Sequence, residues 1–534
     1  MKLFQILAGT AIAVAATMTA DALAGAAQAE TRVGGCIVTG EHRLPGERVR
    51  EIISAELAAE DHSGTACLHA AGGIEAALRE AGAFAARVFV EPSQDGSTVV
   101  LKVIEGRIAE DGIRLGRSGE RVDDDVILRQ LDQILEPGSA LSADKQERAI
   151  LLTNDLPGVA GSESTIYPAE TPGEANFEIH PKDSGLVTGH VYADNFGSSF
   201  SGEYRAGATI DVNSPLGRGD KVSLGANASD EGSLYGFIDG SLPLFFNGSR
   251  VGAALSMLDY RTDGLNGLEG ETQDVSVYGY HPVVRSRQTN LYGEVRLGRE
   301  WLYDADATGT VTDREVDTAH LRLTGDHADR LWGGGTNKFS FEGVVGHLDL
   351  DGFAAYRLED AQTANTQGDF ARLTWNLSRL QHIAGPWQTF VEIAGQFASK
   401  RLDSSQSISF GGPYDFPGYH SGEILGDEGE RLHMDLRYNV PSRTFGGKLQ
   451  LSAFYNIGSI ETHAKEFRGN VVVPGVEDQS FTVQSAGLGL SLAWDDVQLR
   501  TVVGRRISNE IPDRLLDDGG DDDYRGWLQV VYGF

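Results

Sequence analysis

Two small α+β modules followed by a transmembrane antiparallel β-barrel of about sixteen strands is the fold class that this 534-residue sequence predicts. Three observations carry it. From Lys182 to the C-terminus, apolar residues alternate with period two between turns of Gly, Asn and Asp, the pattern of strands with one lipid-facing side. Before Lys182, helical and strand periods mix. Beyond Met1–Ala29, no stretch reaches the ~18 consecutive apolar residues that a membrane helix requires, which excludes a helical membrane protein but not a barrel. Lys and Arg number 45 against 77 Asp and Glu, a net charge of −32, and that sign argues against nucleic acid as a partner. With 67 Gly and only 16 Pro, the composition suits many strands and turns.

Residues 1–29 have the pattern of a secretory signal: Lys2, an apolar Ile6–Ala20, then Ala27-Gln28-Ala29 as a small-x-small cleavage site before Glu30. A buried N-terminal helix is the alternative. Cys36 and Cys67 then lie in an oxidising compartment and are candidates for a disulfide, whose loop length would contribute roughly 3–4 kcal/mol; two buried thiols is the other reading. Helices are expected from Leu44 to Ala58 and from Ile74 to Ala81, stopped by Gly82. Strands follow at Ala83–Val90 and Thr98–Ile104, across a Ser93–Gly96 turn. The order then repeats, with a strand near Ile108–Leu115, helices at Asp123–Leu135 and Ser142–Asn154, and strands at Val159–Tyr167 and Ala175–Pro181. Two β-α-α-β-β modules are the economical reading.

In the barrel segment, Leu528, Val530, Tyr532 and the terminal Phe534 share one face of the last strand. The preceding hairpin alternates through Leu488, Leu490, Leu492 and Trp494, turns at Asp495-Asp496, and alternates again through Val497, Leu499, Thr501 and Val503. So tight a turn suits the periplasmic side of an outer-membrane barrel. The roughly 350 residues after Pro181 would give sixteen strands about 22 residues each, connections included. A soluble sandwich or propeller would share the alternation, but the export signal and terminal Phe534 favour the outer membrane.

Gly82–Pro92 followed by Leu101–Ile108 resembles the first periplasmic POTRA module of two-partner secretion transporters. Leu156-Pro157-Gly158-Val159 and Pro168–Gly173 are similar to the second module. Asp194–Gly202 and Asn213–Asp220 resemble the first barrel hairpin of the same TpsB group (the ShlB/FhaC/HecB haemolysin secretion and activation proteins), within the BamA-like superfamily. The resemblance implies a signal peptide at 1–29, POTRA modules at 30–107 and 108–181, and a sixteen-stranded barrel at 182–534 with a long inward loop at about 406–430. It further implies capture of an unfolded secreted exoprotein of haemolysin or adhesin type, threaded outward without ATP, and no cofactor. The barrel assembly machinery during biogenesis, reading Leu528, Val530, Tyr532 and Phe534, and outer-membrane lipid are the other expected partners. The substrate would add to a strand edge of the second module, near Val159–Tyr167 or Ala175–His180.

The sequence departs from that family at the tip of the loop. Where relatives read Val-Arg-Gly-Tyr or Phe, this chain has Phe416-Pro417-Gly418-Tyr419. The Arg there pairs with an Asp on a barrel strand, at the place where this chain carries Asn456 within Phe454–Gly458. Both charges are absent together, so the loop is expected to be held by Phe416, Tyr419 and neutral hydrogen bonds, with Asn456 as a candidate partner. Glu30–Gly35 leaves little room for the N-terminal plug helix of many relatives, from which measurable ion conductance is expected.

No catalytic constellation emerges, and a non-enzyme is expected. Gly197-Ser198-Ser199-Phe200-Ser201 lacks the last Gly of a nucleophile elbow, and the 13 His show no metal-ligand spacing. Asp517–Asp523 reads as a solvated acidic extracellular loop rather than a Ca²⁺ site. An outer-membrane protein assembly factor is the alternative function, and a passive porin a third.

Overall fold

The structure, a computed structural model, describes residues 30–40, 42–60, 63–93, 98–116, 120–262, 267–461, 480–507 and 523–534. The signal segment, the centre of the 93–96 turn and Asp517–Asp522 lie outside the described residues. The chain folds into two compact units, one built mostly of residues before Lys182 and one of Lys182–Phe534 with the short segments Gly119–Val126 and Asn154–Gly161.

The first module is a four-stranded sheet in the order β1-β2-β4-β3, from β1 (Thr31–Val33), β2 (Cys36–Thr39), β3 (Arg87–Pro92) and β4 (Val99–Ile104). Helices Gly46–Ala59 and Ser63–Glu80 bury Val49, Ile53, Ile74 and Leu78 against Val38, Leu101 and Val103. Cys36 on β2 and Cys67 on the second helix form a disulfide within this core. Two expectations shift. Helix two begins at Ser63, eleven residues before the expected start, and residues 83–86 turn before β3 begins at Arg87. Ala83 and Ala86 are buried there, so apolar content that suggested strand serves the packing of a turn.

The second module has helices Asp124–Leu135 and Ala143–Asn154 and a sheet of β5 (Arg107–Leu115), β6 (Val159–Pro168) and β7 (Glu174–Asp183) in the order β5-β7-β6. β7 is therefore central and β6 is an edge. That corrects Ala175–His180 as a candidate edge, because those residues have sheet neighbours on both sides.

Among the described residues the barrel closes sixteen strands, all antiparallel. It begins with β8 (Val187–Asp194), β9 (Arg205–Asn213), β10 (Lys221–Ser229), β11 (Leu234–Leu244) and β12 (Ser249–Arg261). There follow β13 (Glu269–Arg285), β14 (Thr289–Asp306), β15 (Gly309–Asp329), β16 (Gly335–Asp349), β17 (Gly368–Ala384) and β18 (Trp387–Ala398). A short hairpin of β19 (Ile408–Phe410) and β20 (Ile424–Gly426) stands apart from the wall, which resumes with β21 (Glu428–Asn439), β22 (Lys448–Glu461), β23 (Ser480–Ala493), β24 (Val497–Arg506) and β25 (Tyr524–Gly533). Alternation places Leu242, Leu255, Val277, Leu297, Leu321 and Val345 on the outer face, exposed as lipid contacts require. Leu528, Val530, Tyr532 and Phe534 stand exposed on the last strand. Short turns such as Asp495-Asp496 gather at the end that carries both barrel termini, and long connections at the other, the polarity of an outer-membrane barrel.

Candidate functional site

The connection between β18 and β21 interrupts the wall pattern. β18 pairs directly with β21, so residues 399–427 are free to leave the sheet. Their hairpin is pinned by Ile408↔Gly426 and Phe410↔Ile424 pairs. Phe410, Phe416, Tyr419 and Ile424 then form a cluster with Ile460 of β22 and Phe481 and Val483 of β23. Phe416 and Tyr419 are both fully buried. The rings of Phe410 and Phe416 lie 5.0 Å apart, and Tyr419 meets Phe416 edge-on at 6.3 Å. Each fully buried ring contributes on the order of 1.5–3 kcal/mol by removing apolar area from water, so the loop is seated rather than adrift.

Two wall glycines receive the tip. A Cβ at Gly458 would stand 2.9 Å from the Phe416 ring and 3.0 Å from that of Phe410. One at Gly504 of β24 would stand 2.6 Å from the Pro417 side chain. The Trp527 indole donates to the Pro417 carbonyl at 2.8 Å, and the Arg506 guanidinium lies 5.5 Å from the Tyr419 ring centre. Gly418 fits because its Cα faces the Arg505–Arg506 backbone with no room for a side chain.

Asn456 has different partners from those expected. It faces His433 on β21 and Ser485 on β23, its registered neighbours, donating to Ser485 Oγ at 3.1 Å and sharing a short hydrogen bond with His433 Nδ1. The loop lands on Gly458, two residues along the same inward face, because a missing side chain accommodates an aromatic ring better than an amide does. Pro417 and Asn456 therefore belong to separate contacts. Replacing Pro417 with Arg and Asn456 with Asp together should show a coupling below about 0.5 kcal/mol in a double-mutant cycle read by loop-dependent conductance. A coupling above about 1 kcal/mol would mean that the two positions do meet.

Ion pairs, which the sequence reading did not anticipate, also hold this loop. Arg431 on β21 contacts Asp415 of the tip at 2.9 Å and Glu392 of β18 at 2.8 Å, all three side chains less than a fifth exposed. At the loop's stem, Arg314 of β15 donates to both carboxylate oxygens of Asp403, at 2.9 and 2.8 Å, and to Asp304 at 2.8 Å, with Arg314 and Asp403 almost fully buried. Here the wall supplies the arginines, and each arginine meets one carboxylate of the loop and one of the wall. The available signal was acidic residues, Asp403 and Asp415 among them, in a segment rich in Gly, Ser and aromatics, facing strands with inward arginines.

Beneath the tip, toward the short-turn end, a cavity of about 630 Å³ is bordered by Glu392, Asp415, Arg431, Asp435, Arg437 and Arg500. Arg500 lies 4.1 Å from the Tyr414 ring centre and Arg437 4.5 Å from that of Phe390. The result is a polar, mixed-charge vestibule whose ceiling is the loop. Among the described residues, no group of three or more His, Cys, Asp or Glu is arranged to hold a metal.

Comparison with known proteins agrees with this architecture. The family profile of the haemolysin secretion/activation protein ShlB/FhaC/HecB matches residues 268–489. The heme/hemopexin transporter protein HuxB of Haemophilus influenzae is 26% identical over 460 residues, covering 84% of this chain and 77% of that protein. Among solved structures, CdiB from Escherichia coli superposes with a TM-score of 0.75 at 18% identity, covering 97% of this chain and 93% of its own. CdiB from Acinetobacter baumannii gives 0.66 at 15% identity, covering 91% and 86% of the two chains. BamA from Haemophilus ducreyi lacking POTRA domains 1–3 gives 0.54 at 14% identity, covering 95% of this chain and 100% of its own. Taken with the closed barrel, the chain is similar to the ShlB/FhaC/HecB haemolysin secretion/activation proteins over residues 268–489 and has the fold of the CdiB outer-membrane barrels.

Proposed function

We propose that this translocator captures one unfolded exoprotein of haemolysin or adhesin type in the periplasm and threads it through the barrel without ATP. The observation that carries the reading is the seated loop, a ceiling over a polar vestibule inside a closed barrel, which a passing chain would have to displace. The modules at 30–107 and 108–181 would make the capture. In the second, β6 lies at an edge of the sheet, where an extended segment would add as a further strand. Contacts made in succession along modules, vestibule and lumen, with folding of the cargo outside, would supply direction without a nucleotide. The outward row Leu528, Val530, Tyr532 and Phe534 would be the signal read by the barrel assembly machinery.

Quantitative proteomics of culture medium and outer membrane, with and without this protein, tests the reading. The expected result is loss of a single large exported protein with an otherwise unchanged outer membrane. A fall in several barrel proteins would overturn it in favour of an assembly factor. No change in either fraction would leave only a pore.

A further inference from the structure

Hairpin turns that need positive φ normally take Asn, Asp or Gly, because other L side chains crowd their own backbone there. Among the described residues, seven non-glycine residues have positive φ, and four of them are aromatic: Phe245 (60°), Phe246 (51°), Trp332 (51°) and Phe445 (51°). The four fall in just three turns, β11–β12, β15–β16 and β21–β22. All three turns lie at the short-turn end of the barrel, after the fourth, eighth and twelfth strands of the wall. Successive tips therefore stand a quarter of the sixteen-stranded circumference apart. Backbone preference does not explain the choice. Asn247-Gly248, the pair that such a turn favours, directly follows Phe245-Phe246, yet the positive φ angles begin at the two phenylalanines.

Packing does not explain it either. Phe245, Trp332 and Phe445 are 67, 82 and 85% exposed, and a ring left in water gains nothing that would offset a strained turn. Their surroundings are those of a lipid boundary. Leu242 and Leu244, exposed on the outer face of β11, lead directly into Phe245. Trp494, just past the end of β23, donates through Nε1 to the Phe445 carbonyl at 3.0 Å, and the Arg379 guanidinium lies 5.9 Å from the Trp332 ring centre. Arg330 and Arg443, both exposed, stand two residues before Trp332 and Phe445. A ring beside a long cationic side chain is the combination that suits the layer of lipid phosphates. Aromatic girdles borne on strands are usual in such barrels, whereas these rings stand on the turns beyond the strands.

We propose that the three turn tips, at Phe245, Trp332 and Phe445, are prongs that seat the rim of the barrel in the phospholipid of the periplasmic leaflet. The backbone cost of each turn is offset when its ring passes from water into the lipid boundary. Three points spaced by quarters of the circumference define a plane, so together they fix both the depth and the tilt of the barrel in the membrane. One prong would fix neither.

The test uses the purified full-length protein, in detergent and in vesicles of phosphatidylethanolamine and phosphatidylglycerol. Asparagine accepts positive φ, so Phe245→Asn, Trp332→Asn and Phe445→Asn together relax the turns while removing the rings. In detergent, which adapts to any rim, the thermal midpoint should hold or rise. In vesicles, the ratio of folded to unfolded protein at a fixed urea concentration should fall about tenfold or more. Trp332 can also be read directly. The fluorescence that Trp332→Phe removes, from a chain with 6 tryptophans, should be quenched by lipid brominated near its headgroup and only weakly by iodide in the water. A triple variant as stable as the parent in vesicles, or a Trp332 signal that iodide quenches as strongly as free indole, would overturn the proposal. Shielding from iodide that arises only when periplasmic protein is added would overturn it too, and would give the tips to a protein partner. If the triple variant does not fold, the Trp332 signal decides alone by the same two quenchers.

Discussion

Replacing Arg431 with Ala should unseat the loop and turn a mostly closed barrel into a frequently conducting one. Arg431 lies between Asp415 of the loop and Glu392 of the wall, with every side chain less than a fifth exposed. Removing the cation leaves two carboxylates facing each other in a poorly solvated place. Losing one partner of such a buried group costs about 3–5 kcal/mol. Part of that cost is relieved if Asp415 moves away into water, and moving Asp415 means moving the loop. The ratio of seated to displaced loop should therefore fall by about a hundredfold or more, read as open probability in planar bilayers. Exchanging the charges, Arg431→Asp with Asp415→Arg, should restore little, because Glu392 would then face a second carboxylate across β18 and β21. Arg431→Ala combined with Asp415→Asn and Glu392→Gln should recover most of the closed state, since neutral amides carry no charge to strand. Unchanged open probability in Arg431→Ala would show that the aromatic cluster alone holds the loop.

The features legible in the sequence were those with a local period. Barrel strands announced themselves through alternation, and the turn at Asp495-Asp496 through the break in it. The helices showed their 3.6-residue spacing to within a few residues, except that Ser63–Glu80 has small residues in its first half that carry little pattern. The module order implied one strand before the first helix but gave it no bounds, and the second was missed, because β1 and β2, of three and four residues, are too short to display a period. The loop was placed by its resemblance to the inward loop of the family, but its partners were not. Gly504 and Trp527 lie far along the chain from Pro417, and only closure of the barrel brings them to it. Asn456 was a plausible partner by motif position. Register gave its amide to His433 and Ser485, and left the bare backbone of Gly458 for Phe416. Arg314 and Arg431 were hidden for a related reason. An inward arginine on a polar lumen wall looks the same in sequence whether it meets water or a buried aspartate.

Removing the disulfide with Cys36→Ala and Cys67→Ala should weaken the first module more than any other pair of small substitutions in that unit. The bond joins residues 31 apart and ties β2 to the second helix. In the reduced chain that loop regains its freedom when unfolded, a loss of roughly 3–4 kcal/mol in stability. Both cysteines are fully buried among Val38, Ile53 and Ile74, so alanine also leaves small voids. For a module of this size each kcal/mol moves the midpoint by about 4–8 °C, which predicts a drop of at least about 12 °C. Limited proteolysis of the full-length protein in detergent, followed across temperature, would read it as earlier cleavage between Glu30 and Glu105, while the heat-modifiable mobility of the barrel stays unchanged. The functional consequence follows from the position of β2, which pairs in parallel with β4 in the middle of the sheet. Loosening it disturbs the whole sheet, so export should fall at the higher temperature and recover on cooling, with bilayer conductance unaffected throughout. Loss of conductance together with export would instead mean that the first module governs the loop.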